Sequence, residues 1–171
     1  RRILMVLTAA QRHAEVVELF ADPAPMSPVP WEPMGALLLR AQAELGRWND
    51  VALTMAALES GPAGQDLHVR GWLDQARLIF LAGLGRKELL AELLDQEKSF
   101  AEDVPRDVIE RWRTWADDLA GDPPLREEEL PPGLLATVED RARQSASLPR
   151  SLGWGPGLAP VTFLLVLANG G

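Results

Sequence analysis

Apolar residues along this chain recur at helical spacing, and clusters of Gly and Pro separate the segments that carry them. Val51, Met55 and Leu58 stand at i, i+4 and i+7, and Leu90, Leu93 and Leu94 share one face in the same way. Each set predicts a helix with one buried stripe. No stretch alternates with period two for long, Ile occurs only at Ile3, Ile79 and Ile109, and Tyr is absent, so no sheet is expected. The expected fold is all-α, with helices of about 10–16 residues between loops. One loop is built on Pro23, Pro25, Pro28, Pro30 and Pro33 and a second on Gly61, Pro62 and Gly64. A third region is punctuated by Pro123, Pro124, Pro131 and Pro132, and a fourth runs from Pro149 through Gly153, Gly155, Pro156 and Gly157 to Pro160.

Within this pattern one short motif recurs. Ala43-Glu44-Leu45-Gly46-Arg47-Trp48 returns 39 positions later as Ala82-Gly83-Leu84-Gly85-Arg86-Lys87, and a weaker copy, Thr8-Ala9-Ala10-Gln11-Arg12-His13, lies 35 positions before it. An apolar segment precedes and follows each copy. Gly46 and Gly85 can take the left-handed conformation that closes one helix and lets the next fold back antiparallel. A hairpin of this kind cannot bury its apolar face alone, so three copies are expected to stack around a continuous core.

These residues resemble tetratricopeptide (TPR) repeats, whose period is near 34 residues and whose turn is often Leu-Gly-Arg-Trp/Tyr. Leu45-Gly46-Arg47-Trp48 matches that turn, and Leu84-Gly85-Arg86 matches it in part. The small residue of the family's first helix falls on Leu39 and Leu78, and its usual Ala in the second helix falls on Val16, Val51 and Leu90. The resemblance covers roughly residues 1–100 and implies a TPR-like α-solenoid that binds a protein or peptide segment on its concave side. The family's carboxylate-clamp residues correspond to no position of this chain.

After the third hairpin, Asp103 can cap a helix with Pro105 in its first turn, where the missing N–H costs nothing. Val108, Ile109, Trp112, Trp115 and Ala116 give that helix an apolar stripe, so it is expected to cover the open end of the stack. From Glu88 to Asp122 eleven acidic residues face four basic ones, a local net of −7 within a chain of net charge −8. The expectation there is a solvated outer face, with docking of a basic partner as the alternative. Residues 1–122 thus form the expected helical-repeat domain.

Residues 123–157 are expected to be a partly helical linker, with Leu134, Leu135, Val138 and Ala142 lining one side of a helix begun by Pro131-Pro132. No acidic residue follows Asp140, whereas Arg141, Arg143 and Arg150 precede the apolar run from Leu158 to Ala168, with Trp154 just before it. Basic residues in that window bias membrane orientation, and a Trp ring suits the headgroup level. Eleven helical residues rise only about 16 Å, half of a bilayer core, so 158–171 is expected to be the start of a truncated transmembrane helix. The chain also opens without Met. Arg1-Arg2 followed by Ile3-Leu4-Met5-Val6-Leu7 could begin a signal peptide, but the helical pattern continues through Phe20 and favours a repeat helix.

Pro160-Val161-Thr162 followed by Phe163 to Asn169 resembles the opening of the first transmembrane helix in rhomboid-family intramembrane serine proteases. Gly170-Gly171 departs from the continued apolar span of that family. The resemblance implies a soluble, cytoplasmic helical-repeat region preceding a protease whose serine and histidine lie beyond residue 171. The alternative is a TPR-like adaptor, cytoplasmic or anchored by its apolar tail.

Composition narrows the chemistry further. The absence of Cys excludes disulfide scaffolds, thiol nucleophiles and thiolate metal sites. The acidic balance argues against a nucleic-acid partner, whose phosphates need Lys/Arg. No serine lies in a Gly-x-Ser-x-Gly turn, and Asp117-Asp118 and Glu102-Asp103 diverge as sequence neighbours on a helix. His13 is expected to be an interhelical or surface residue and His68 part of a helix start. Trp31, Trp48, Trp72, Trp112 and Trp115 read as packing residues. No catalytic, cofactor-binding or metal-binding residue is therefore assigned, and no cofactor is expected. The expected partners are a protein or peptide on the repeat surface and a membrane through the C-terminal run.

Overall fold

The computed structural model describes residues 2–21, 31–61, 70–96 and 106–147. All regular structure among them is helical: α1 (Arg2–Ala9), α2 (His13–Ala21), α3 (Trp31–Glu44), α4 (Trp48–Ser60), α5 (Arg70–Gly83), α6 (Lys87–Gln96), α7 (Arg106–Ala120) and α8 (Leu134–Ser147), with one 3-10 turn at Glu127–Glu129. The expected cap at Asp103, the inter-hairpin prolines up to Pro30, His68, and the run from Leu158 to Ala168 lie outside the described residues. Pro33, expected in a loop, sits in the first turn of α3, where a helix needs no N–H from it.

The three recurring motifs fold into the same turn. Gln11, Gly46 and Gly85 have φ of 57°, 70° and 66°. The amide of the following arginine donates across six residues in each: Arg12 to Leu7 O at 2.8 Å, Arg47 to Gln42 O at 2.8 Å and Arg86 to Leu81 O at 3.0 Å. The left-handed residue itself donates to Thr8 O, Ala43 O and Ala82 O. This pair of bonds is the Schellman closure, which satisfies carbonyls left open at a helix end. Gln11 adopts without a glycine a conformation that costs an L-residue roughly 1–2 kcal/mol.

Identical turns put the hairpins in register. Leu4, Leu39 and Leu78 occupy equivalent places in α1, α3 and α5, and Val16, Val51 and Leu90 do so in α2, α4 and α6; all six are buried. Branched aliphatic residues thus fill the contacts where the resembled family keeps small ones. Each second helix packs on its own partner and on the first helix of the next hairpin, α2 on α3, α4 on α5 and α6 on α7, while α1, α3, α5 and α7 follow one another. Helix α7 buries Trp112 and Ala116 against this stack and exposes Glu110, Arg113 and Asp117. Its polar outer face covers the core at that end, as the stripe predicted. Lys87 Nζ to Asp117 Oδ1, 2.6 Å, ties α6 to it at the surface.

The described part of the segment read as a linker belongs to the core. Leu125, Leu134, Val138 and Ala142 join the same buried cluster as Met55, Phe80 and Leu90. The Leu125 amide donates to Gly83 O at 3.0 Å, fixing the non-helical crossing from α7 to α8. Helix α8 then packs on α4, α5 and α6.

Candidate functional site

Helix α8 packs on α4, α5 and α6, and a polar cluster lies elsewhere among the first helices. That cluster is contributed by α3 and α7, the two neighbours of α5. Arg111 Nη2 of α7 meets Glu44 Oε2 of α3 at 2.5 Å. The Arg111 guanidinium also lies over the Trp115 ring, 5.8 Å from its centroid, and Trp115 meets Trp48 edge-on at 6.2 Å. A delocalised guanidinium combines both contacts, holding a planar fork between a carboxylate and an aromatic face.

Arg40, one turn before Glu44 on α3, is partly buried in the same cluster. Burial pushes its guanidinium pKa down, Glu44 and Asp107 oppose that shift, and Arg111 adds to it. No ion pair within 4 Å joins Arg40 to another of the described residues. The group stays protonated, so α3 offers a cation with remaining donor capacity.

His13, at the start of α2, completes the cluster. Its Nδ1 is buried without a hydrogen-bond partner among the described residues. Desolvation lowers its pKa from 6.5; Glu44 opposes that shift, and Arg40 and Arg111 reinforce it. The unfolded chain, titrating near 6.5, binds more protons than the native state just below that pH. The contribution is intact above 6.5 and lost as pH falls toward the depressed native pKa. Between pH 7.5 and 5.5 the urea midpoint of the native sequence should therefore drop further than that of His13→Leu. Parallel profiles for the two proteins would contradict this arrangement.

A second polar junction, between α4, α5 and α8, was missed by sequence reasoning. Arg77 of α5 donates from Nε to Glu59 Oε1 of α4 at 2.6 Å, from Nη2 to Glu59 Oε2 at 3.3 Å and from Nη1 to Asp74 Oδ1 at 3.0 Å. Helix α8 adds Arg141, which donates to the Glu59 carboxylate and, at 2.7 Å, to the Glu59 carbonyl. Ser145 Oγ donates to Asp74 Oδ2 at 2.6 Å. Side-chain exposure is 4% for Arg77 and 2% for Glu59. Docking of α8 thus brings a second guanidinium and a hydroxyl to the two carboxylates. The lone signal in the sequence was the polar Asp74 and Arg77 inside an apolar stretch, at a spacing of three.

Arg141 and Arg143, expected in the basic approach to the apolar run, thus have partners within the fold, Glu59 for the first and Glu139 at 3.7 Å for the second. Among the described residues no helix is long and apolar enough to cross a membrane, and no group of three or more His, Cys, Asp or Glu side chains could hold a metal ion. Of the acidic residues between Glu88 and Asp122, Asp107, Glu110, Asp117 and Asp118 are exposed on α7. Compared with known protein families, curated proteins and solved structures, the chain matches none.

Proposed function

We propose that the chain is a TPR-like helical-repeat interaction domain whose first helices bind a peptide or protein segment. The carrying observation is the register: three turns of one geometry set three hairpins so that each second helix packs on the next first helix. An elongated row of like helices presents one continuous face, suited to an extended segment. On that face Arg40 and Arg111, beside Trp115, supply charged and aromatic anchors of the kind that dominate binding energy.

The rhomboid resemblance of Pro160 to Asn169 supports a setting for this domain, on the cytoplasmic side and ahead of an intramembrane serine protease that the apolar run would introduce. The repeats would then hold a partner close to the membrane. Gene sequence past Gly171 tests the setting. About ten further apolar residues, followed by spans with Gly-x-Ser-Gly and a membrane histidine, are expected. A polar continuation would leave an adaptor without a protease. For the domain itself, peptides selected from a random library against the 171-residue chain should lose at least about ten-fold in affinity when Arg40 and Arg111 are both changed to glutamate. Equal affinities would move the binding away from the first helices.

A further inference from the structure

The shared turns allow position-by-position comparison of the three first helices. The eighth residue before the left-handed turn residue is Ile3 in α1, Leu38 in α3 and Arg77 in α5; the fifth is Val6, Ala41 and Phe80. Leu38, Ala41, Arg77 and Phe80 are all buried, whereas Ile3 is 66% and Val6 59% exposed. The preceding hairpin supplies cover in both inner helices. Ala41 of α3 packs in a cluster with Leu7 and Val16 of α1 and α2, and Arg77 of α5 is held by Glu59 of α4. One turn on, the Trp48 ring of α4 lies against Gly83, whose counterpart in α1 is the exposed Ala9.

Ile3, Val6 and Ala9 therefore stand on the side of α1 that, in α3 and α5, receives the second helix of the hairpin before. A terminal helix that faces water carries charge on its outer side, as α7 does at the other end of the stack with Glu110, Arg113 and Asp117 exposed. An aliphatic pair in register with two buried inter-hairpin contacts fits a covering helix instead. A second copy of the chain is a poor cover, because a helix of 8 residues offers far less than the roughly 800 Å² per partner that a stable interface buries. Along the stack the covering helix is each time the one that comes before in the chain, α2 for α3 and α4 for α5. Consecutive elements pack as neighbours, so the helix that matches α1 is the one preceding it in the polypeptide.

We propose that α1 is an inner helix of the stack, and that a further hairpin of the same kind, encoded immediately before Arg1, lays its second helix over Ile3, Val6 and Ala9. That helix is amphipathic, with its aliphatic side toward α1. Its own turn lies one repeat before Gln11, at the spacing of 35 to 39 residues that separates Gln11, Gly46 and Gly85. Such an extension lengthens the row of first helices by one and is independent of which segment that row binds.

Reading the gene upstream of Arg1 and expressing the protein with that extension provides the test. A helix–turn–helix pattern is expected there, and amide exchange in α1 should be slower in the extended protein than in the 171-residue chain. Ile3→Glu combined with Val6→Glu should leave the melting temperature of the 171-residue chain unchanged, since both side chains face water. The same pair should lower the melting temperature of the extended protein by about 4 °C or more, because it buries charge between hairpins. An initiator codon too close to Arg1 to leave room for a helix, an extension without helical periodicity, or equal losses in the two proteins would overturn the proposal. Dimerisation of the 171-residue chain that the double variant abolishes would also overturn it, with a second copy as the cover.

Discussion

Arg77→Met should lower the unfolding free energy of the domain by about 3–5 kcal/mol, the range for removing one partner from a buried ion pair. The substitution keeps much of the side chain's volume, so the loss is electrostatic. Both carboxylates would lose an Arg77 donor, Glu59 keeping Arg141 and Asp74 keeping the Ser145 hydroxyl. Neither is exposed enough to recover its hydration. Urea denaturation followed by helical circular dichroism measures the effect. Combining Arg77→Met with Asp74→Asn should restore part of the loss, since it neutralises one of the two carboxylates that lost an Arg77 donor while Glu59 keeps Arg141. A single variant as stable as the native protein, or strict additivity in the double variant, would show that the junction carries no such coupling. Arg141→Met, removing a guanidinium whose side chain is 25% exposed, should cost less than Arg77→Met.

Gly83→Ala should destabilise the domain by about 1–3 kcal/mol through overpacking. A methyl group at residue 83 would meet the Trp48 ring, 2.6 Å from Cε3 and also against Cζ3, and Leu125 Cδ1 at 3.1 Å. None of these neighbours is a free chain end. Trp48 also meets the Trp115 ring in a T-shaped contact at 6.2 Å, and Leu125 is anchored by its amide bond to Gly83 O. Differential scanning calorimetry should show a lower melting temperature, and tryptophan emission should shift to the red as the ring is displaced. With Trp48→Leu already in place the same glycine substitution should cost less, because the clash has lost its partner. An unchanged melting temperature in the single variant would disprove the close approach. By contrast, Gly46, with open space around it, is required only by its backbone angle.

Several features were legible before any coordinates. The helical spacing of Val51, Met55 and Leu58 marked a buried face, and all three are fully buried. Gly46 and Gly85 marked the turns, because a positive φ at a helix end is a local demand that a glycine advertises. Gln11 took the same conformation without that advertisement, and the first turn could be placed only by its distance from the second. The apolar stripe of α7 was visible, and its Trp112 and Ala116 are buried. The polar cluster of the first helices was not. Arg111 lies far from Arg40 and Glu44 in sequence, and nothing local joins Glu44 to an arginine 67 residues on.

The segment from Pro123 shows most clearly where local reasoning ends. Proline clusters correctly marked an interruption of helix, but an interruption describes the backbone and says nothing about what its side chains cover. Leu125 enters the core because the neighbouring hairpin offers Gly83 O to its amide, and α8 folds back because Glu59, Asp74 and Arg77 await Arg141 and Ser145. By itself, the sequence determined the all-helical class, the faces each helix buries and the places where the chain reverses, since periodicity and turn chemistry act over a few residues. The tertiary structure alone decided which helices α8 packs on and which charges are buried together. Those outcomes depend on groups 18 to 82 residues apart, whose attraction exists only once the hairpins have brought them out of water and into contact.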